Sequence, residues 1–149
     1  MHRKAIVSKT KSTGESFSVR ACASFLISKN PTEMPLFEHH LFICTNERDS
    51  SASRPSCLPS GSKKLKSAFK DAIKDAGLKH QVRANESGCL DQCEHGPVVV
   101  VYPEAVWYGN VHARDAKEIV QEHLVNGRPV ERLRLPESCI NSDRCPHRK

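Results

Sequence analysis

Apolar and polar positions alternate in blocks that define a small mixed fold. His39-His40-Leu41-Phe42-Ile43-Cys44 is a short β-type run that ends on a cysteine. From Lys63 to Ala76 the apolar residues fall at Leu65, Ala68, Phe69, Ala72, Ile73 and Ala76. That i, i+3, i+4 spacing predicts an amphipathic helix, with Ser62 as its N-cap and Gly77 as its stop. His80 to Ala84 reads as a second strand. Val98 to Tyr102, in the longest apolar run of the chain, reads as a buried third strand. Pro103-Glu104-Ala105 then turns into Val106-Trp107-Tyr108, a fourth strand, and so tight a loop implies an antiparallel pair. His112 to Asp115 leads into a second helix, with Ala116, Ile119, Val120, His123 and Leu124 on one face and Asn126-Gly127 as its stop. The order β-α-β-β-β-α is that of an α/β sandwich of about 100 residues.

The flanks lack this patterning. Residues 1–35 are rich in Lys, Arg and Ser, without a sustained apolar period, and read as a disordered basic leader. Such a leader is either an organelle transit peptide or lies upstream of a true start at Met34. The second reading is preferred, because the apolar pattern begins directly after Met34-Pro35. Residues 136–149 read as a flexible polar tail. Charge follows the same division. Of the net +6, residues 1–33 carry +4, residues 34–135 carry +1 and residues 136–149 carry +1. A nearly neutral core argues against a nucleic-acid role. No stretch approaches a membrane span, and no membrane association is expected.

Chemistry enters with the cysteines. Four of the seven form two pairs, Cys44-x12-Cys57 and Cys89-x3-Cys93, in loops beside strand ends. An odd total and the lack of a convincing secretory signal favour a reducing compartment, the cytoplasm, where clustered thiols are more often metal ligands than disulfides. Structural zinc sites usually pair two short Cys-x2–4-Cys knuckles, which the first pair does not provide. A binuclear iron–sulfur centre suits two separated loops better, since each iron takes two thiolates. The turn-forming Gly88 and Gly96 flank the second pair.

In full, Cys44-x12-Cys57-x31-Cys89-x3-Cys93 resembles the thioredoxin-like [2Fe–2S] ferredoxins. The surrounding text carries the same likeness: His40-Leu41-Phe42-Ile43-Cys44-Thr45-Asn46, Gly88-Cys89-Leu90-Asp91-Gln92-Cys93-Glu94-His95-Gly96-Pro97, Val100 through Tyr108, and Gly127-Arg128-Pro129-Val130. It covers residues 36–135. More distantly the pattern is similar to the small iron–sulfur subunit of respiratory NADH dehydrogenase, which has a shorter first gap. The resemblance implies a thioredoxin-like fold, a single [2Fe–2S] cluster and one-electron transfer. It also implies a homodimer and redox partner proteins, a reductase or an acceptor enzyme. By position, Cys44, Cys57, Cys89 and Cys93 are its cluster and metal ligands. Which two share an iron stays open, pairing within each loop being the simpler expectation.

Other residues receive plainer readings. Cys139-x5-Cys145-x-His147 could bind a metal only if another ligand joined from elsewhere, and is read as exposed thiols in a mobile tail. Cys22 is read in the same way. His39 and His40 are taken as surface or edge residues and His95 as a solvated loop position. Of Trp107 and Tyr108, one should face the core and one the surface, with packing or a dimer contact as the role of the tryptophan. Lys63, Lys64, Lys66, Lys70 and Lys74 read as a solvated helix face. No catalytic triad, carboxylate pair or phosphate-binding loop is present. The expected protein is therefore an electron carrier and not an enzyme. The alternative is a redox-sensing or protective module that binds a partner enzyme according to cluster oxidation state. A structural zinc protein is the poorer third reading.

Overall fold

The computed structural model describes residues 37–148. The leader and Cys22 lie outside the described residues. Strand β1 (His39–Cys44) is followed by helix α1 (Lys63–Asp75), then β2 (Val82–Ser87), β3 (Val99–Tyr102), β4 (Val106–Tyr108) and helix α2 (Ala116–Ile119). Helix α2 continues as a wider-wound turn, Val120–Val125. The sheet order is β2-β1-β3-β4. Crossover through α1 makes β1 and β2 parallel, whereas the tight connection makes β3 and β4 antiparallel, as expected.

Strand alternation divides the sheet into two faces. Leu41, Ile43, Val82, Ala84, Val99, Val101, Val106 and Tyr108 meet Leu65, Phe69, Ala72 and Ile73 of α1, Ala116 and Ile119 of α2, and Val120 of the turn after it in one core. Burying each such side chain contributes about 1.5–3 kcal/mol, so this face holds the sandwich together. A second, smaller cluster joins Cys44, Cys57, Cys93 and Val98, with Leu90 and Trp107 packed against it. Cys44 and Trp107 alternate with the core residues of their strands, so this cluster sits on the opposite face of the sheet. Tyr108 is fully buried and Trp107 only half-buried.

Three local expectations change. Ser62 makes no cap. It is buried inside a wide turn, Leu58–Ser62, that begins directly after Cys57 and runs into α1. Cys57 therefore stands at the start of a helical run and not in mid-loop. Strand β2 spans Val82–Ser87, not His80–Ala84, because parallel pairing with β1 continues until Ser87 lies beside Cys44. Polar Arg83, Asn85 and Glu86 concealed that edge strand. Gly77 does stop α1: at φ +75° it takes the left-handed conformation, and the Gly77 and Leu78 amides donate to the Lys74 and Ile73 carbonyls.

The polar C-terminal segment is the largest departure. Tyr108 bridges to Arg134, and the Leu135 amide donates to the Trp107 carbonyl at 2.8 Å. Beyond it, Cys139 and Cys145 are 4% and 6% exposed, so they are not exposed thiols. His95 is likewise buried, not solvated.

Candidate metal centre

Sheet geometry carries three of the four predicted cysteines to one point. Cys44 ends β1, Cys57 opens the turn into α1, and Cys93 opens a short 3-10 turn, Cys93–His95. All three are buried, and their sulfurs lie within 4.8 Å of one another. Cys89 is the exposed member of the set, with its Sγ 3.6 Å from that of Cys93. All four predicted residues thus meet at one site, and none is disulfide-bonded. Four convergent thiols of this kind are a soft donor set with no paired partner among hard oxygen ligands.

Close approach of the backbone shapes the site. Gly96 lies so near Cys57 that a Cβ added to it would stand 2.8 Å from the Cys57 sulfur and 3.1 Å from the Cys93 carbonyl oxygen. Only glycine leaves the sulfur its place.

Two arginines from the first cysteine loop hold the two halves together. Arg48 donates through Nη2 to Cys89 Sγ at 3.2 Å and through Nη1 to the Pro55 carbonyl at 2.6 Å. Its own amide donates to Ser56 Oγ at 2.8 Å. Arg54 forms a fork on Glu94, with Nε to Oε1 at 2.6 Å and Nη2 to Oε2 at 3.0 Å, and reaches Asp91 Oδ1 at 2.7 Å. The contacts to Cys89, Asp91 and Glu94 tie the Thr45–Ser56 loop to the second cysteine loop, whereas those to Pro55 and Ser56 brace the first loop internally. The sequence showed only two arginines in a polar loop. A charge pair spanning about 40 residues leaves no local signal, so they were not singled out.

Among the three buried thiols, the electrostatics favour the thiolate only at Cys44. A hydrogen bond from Cys57, assisted by the Asn46 and Leu90 amides, brings the Cys44 thiol down to about 5 against the opposing effect of burial. The same sharing with Cys44, then burial, pushes Cys57 up. Burial pushes Cys93 up. Buried thiolates close together repel one another, so the full set of charges demands a cation at the centre. Arg54 holds the Asp91 and Glu94 carboxyls below their ordinary range, and the sulfurs of Cys93 and Cys89 raise Arg48.

The chain is similar to known proteins. No family model matches the chain. A 2Fe-2S ferredoxin of Clostridium pasteurianum is 41% identical over 98 residues, which cover 66% of this chain and 96% of that protein. The chain belongs to the thioredoxin-like [2Fe–2S] ferredoxin family. A 2Fe-2S ferredoxin of Aquifex aeolicus is 43% identical over 95 residues, covering 63% of this chain and 86% of that protein. The crystal structure of the wild-type thioredoxin-like [2Fe-2S] ferredoxin from Aquifex aeolicus superposes with a TM-score of 0.64 at 40% identity, covering 68% of this chain and 99% of that one. A cysteine-to-serine variant of that ferredoxin gives a TM-score of 0.63 at the same identity, covering 66% and 99%. The match covers 86–99% of these relatives, whereas about a third of this chain lies beyond it.

His39 and His40 are peripheral to the centre. His39 Nε2 meets Glu104 Oε1 at 2.9 Å on the sheet edge. Of the α1 lysines, Lys66 pairs with Glu86 at 3.0 Å, and Lys63, Lys64, Lys70 and Lys74 are exposed. His95 Nε2 meets the sulfur of Cys145, which is not one of the four cysteines, at 3.2 Å.

Proposed function

We propose that the protein is a one-electron carrier that holds a single [2Fe–2S] cluster on Cys44, Cys57, Cys89 and Cys93, within a cluster domain spanning residues 36–135. The observation that carries this reading is the convergence of four free thiols from two loops, tied by Arg48 and Arg54, at one end of a sheet shared with known 2Fe-2S ferredoxins. The cluster supplies the redox chemistry when bound. Cys89 and Cys93 sit 3.6 Å apart, close to the edge of about 3.8 Å expected for two sulfurs on one tetrahedral metal with bonds near 2.3 Å. That spacing supports pairing of Cys89 with Cys93 on one iron and of Cys44 with Cys57 on the other.

The residues of the chain set the electron-transfer properties. Trp107, Leu90 and Val98 exclude water from the Cys44 and Cys57 side, whereas exposed Cys89 opens the other side toward a partner. Amides directed at the sulfurs, including that of Asp91 at 3.3 Å from Cys89 Sγ, favour the more negative reduced state. Its relatives are ferredoxins, and the protein is an electron-transfer protein rather than an enzyme. Its partners are redox proteins, a reductase and an acceptor enzyme. Two copies pair as a homodimer, a reading supported by the half-buried Phe42 beside the exposed Tyr102 on the sheet face without helices. The free thiols suit the reducing cytoplasm. Among the described residues no helix is long and apolar enough to cross a membrane.

Anaerobic purification tests the reading. The protein should be brown and contain two irons per chain. It should also show one unpaired spin per chain after dithionite reduction. Cys89→Ser should abolish or severely destabilise the cluster. A colourless protein with stoichiometric zinc at these cysteines, or an unchanged visible spectrum in Cys89→Ser, overturns it.

A further inference from the structure

A second cluster of metal-type ligands lies beyond the four cysteines. His95, Cys139, Cys145 and His147 bring one donor atom each to within 4.8 Å of one another. His95 Nε2 is 3.2 Å from Cys145 Sγ, and His147 Nδ1 is 3.8 Å from the same sulfur. The two imidazole rings stand edge-on, with centroids 4.8 Å apart. We propose that these four residues form a structural zinc site, Cys2His2, that fastens the C-terminal segment to the loop carrying Cys93.

Donor geometry comes first. Zinc bonds of about 2.0–2.3 Å to nitrogen and sulfur place neighbouring donors roughly 3.3–3.8 Å apart at tetrahedral angles. The two nitrogen–sulfur separations, 3.2 and 3.8 Å, fall just outside and on the edge of that range. Two thiolates balance the divalent charge, and their two protons go to solvent as the metal binds. Both histidines remain neutral.

Simpler explanations leave part of the set unexplained. A hydrogen bond between His95 and Cys145 accounts for neither Cys139 nor His147. A Cys139–Cys145 disulfide would leave two imidazoles gathered on it without a purpose. Hydrophobic burial does not account for the fold-back either. Residues 136–148 contain only Ile140 as a large apolar side chain, and it is half-buried. A segment so poor in apolar surface gains its order from a metal or a cross-link.

The surroundings hold the ligands in register. The His95 carbonyl accepts from the Asn110 amide at 2.7 Å, and Gly109 approaches so closely that an added Cβ would lie 3.0 Å from the His95 oxygen. Arg148, next to His147, donates to Asp91 Oδ2 at 2.7 Å. Asp91 is the carboxylate that Arg54 already grips. The segment is thus docked at two points, one ionic and one of metal ligands. The sequence motif Cys139-x5-Cys145-x-His147 lacked a fourth donor, and His95 supplies it across about 50 residues of chain.

The test counts both metals on the full chain. Holoprotein is supplemented with one equivalent of zinc chloride and passed over a desalting column containing a mild chelator. Iron and zinc are then measured, and zinc X-ray absorption reads the ligands. One zinc per chain beside the iron, with two sulfur and two nitrogen neighbours, is the expected result. Cys139→Ser/Cys145→Ser should lose that zinc entirely while the cluster spectrum stays intact. His147→Ala, at the exposed ligand, should retain at least tenfold less zinc in the same chelator wash. Zinc retained undiminished in the double variant assigns it to the other cysteines and overturns the proposal. So does a full chain that holds no zinc, or peptide mapping that finds Cys139 and Cys145 joined as a disulfide after zinc addition. Loss of the iron site alone leaves this count unaffected, so the two proposals fail separately.

Discussion

Gly96 packs its backbone against the Cys57 sulfur, at a distance that a single added methyl group would reduce to 2.8 Å. The contact lies between the two cysteine loops. The added carbon would also lie 3.1 Å from the Cys93 carbonyl oxygen, so it is crowded by both loops. Gly96→Ala should therefore displace Cys57 and cost about 1–3 kcal/mol by overpacking. Its visible absorption and iron content should fall below those of Gly88→Ala, where nothing lies within 4 Å of the added carbon. Equal iron in both variants would show that the contact does not constrain the site.

Arg54 bridges Glu94, which is 8% exposed, and Asp91. Arg54→Met keeps much of the side-chain volume and removes the charge. Glu94 would then be nearly buried with no counter-ion. The expected loss is about 1–2 kcal/mol, less than for a fully buried pair because Arg54 itself is partly solvated. Urea denaturation of the holoprotein measures it. The cluster should also decay faster in air, since the clamp joins the two loops that supply its ligands.

Arg48 places a positive guanidinium 3.2 Å from Cys89 Sγ. The reduced cluster is one charge more negative than the oxidised one, so Arg48 stabilises the reduced state. Arg48→Gln should shift the reduction potential to more negative values. The difference between the two proteins should shrink as salt is raised, because the guanidinium is exposed and screened. Potentiometric titration at low and high ionic strength reads both effects. A shift to positive values would contradict the assignment.

His123 gives stability a pH dependence. Tyr108 accepts a hydrogen bond from the Val130 amide at 3.2 Å, and its hydroxyl oxygen lies 2.9 Å from His123 Nδ1. His123 is itself buried. Burial lowers its pKa below 6.5; Glu104 opposes that shift and His39 adds to it. A depressed native pKa means that the unfolded chain binds the proton first as pH falls. Stability should be fully present above about pH 6.5 and decline progressively below it. Thermal melts at pH 7.5 and pH 5.5 measure the loss. His123→Gln, which cannot titrate, should flatten that part of the profile.

Much of the fold was legible because periodicity reports local burial. Leu65, Phe69, Ala72 and Ile73 mark the inner face of α1, and all four are buried as their spacing implied. The run Val98 to Tyr102 declared a central strand by its unbroken apolar character. Strand β2 was harder to place. As an edge strand it has one neighbour and tolerates Arg83, Asn85 and Glu86, so pairing with β1, not composition, defines its end at Ser87. The Ser62 cap failed for a related reason. The turn from Cys57 uses backbone bonds and a positive-φ Gly61, which replace a side-chain cap.

The four cysteines Cys44, Cys57, Cys89 and Cys93 could be singled out by the sequence alone, since spacing and soft donor chemistry are properties of the chain itself. So could the layered α/β order, because hydrophobic period and turn residues act over a few positions. What surrounds those cysteines was decided only in three dimensions. Arg54 meets Glu94, Gly96 meets Cys57, and His95 meets Cys145, each across many residues of intervening chain. The C-terminal segment was read as mobile because it is polar. Tertiary structure instead buries its two cysteines, since buried polar groups gather wherever charge pairing and convergent donors outweigh the lack of apolar surface.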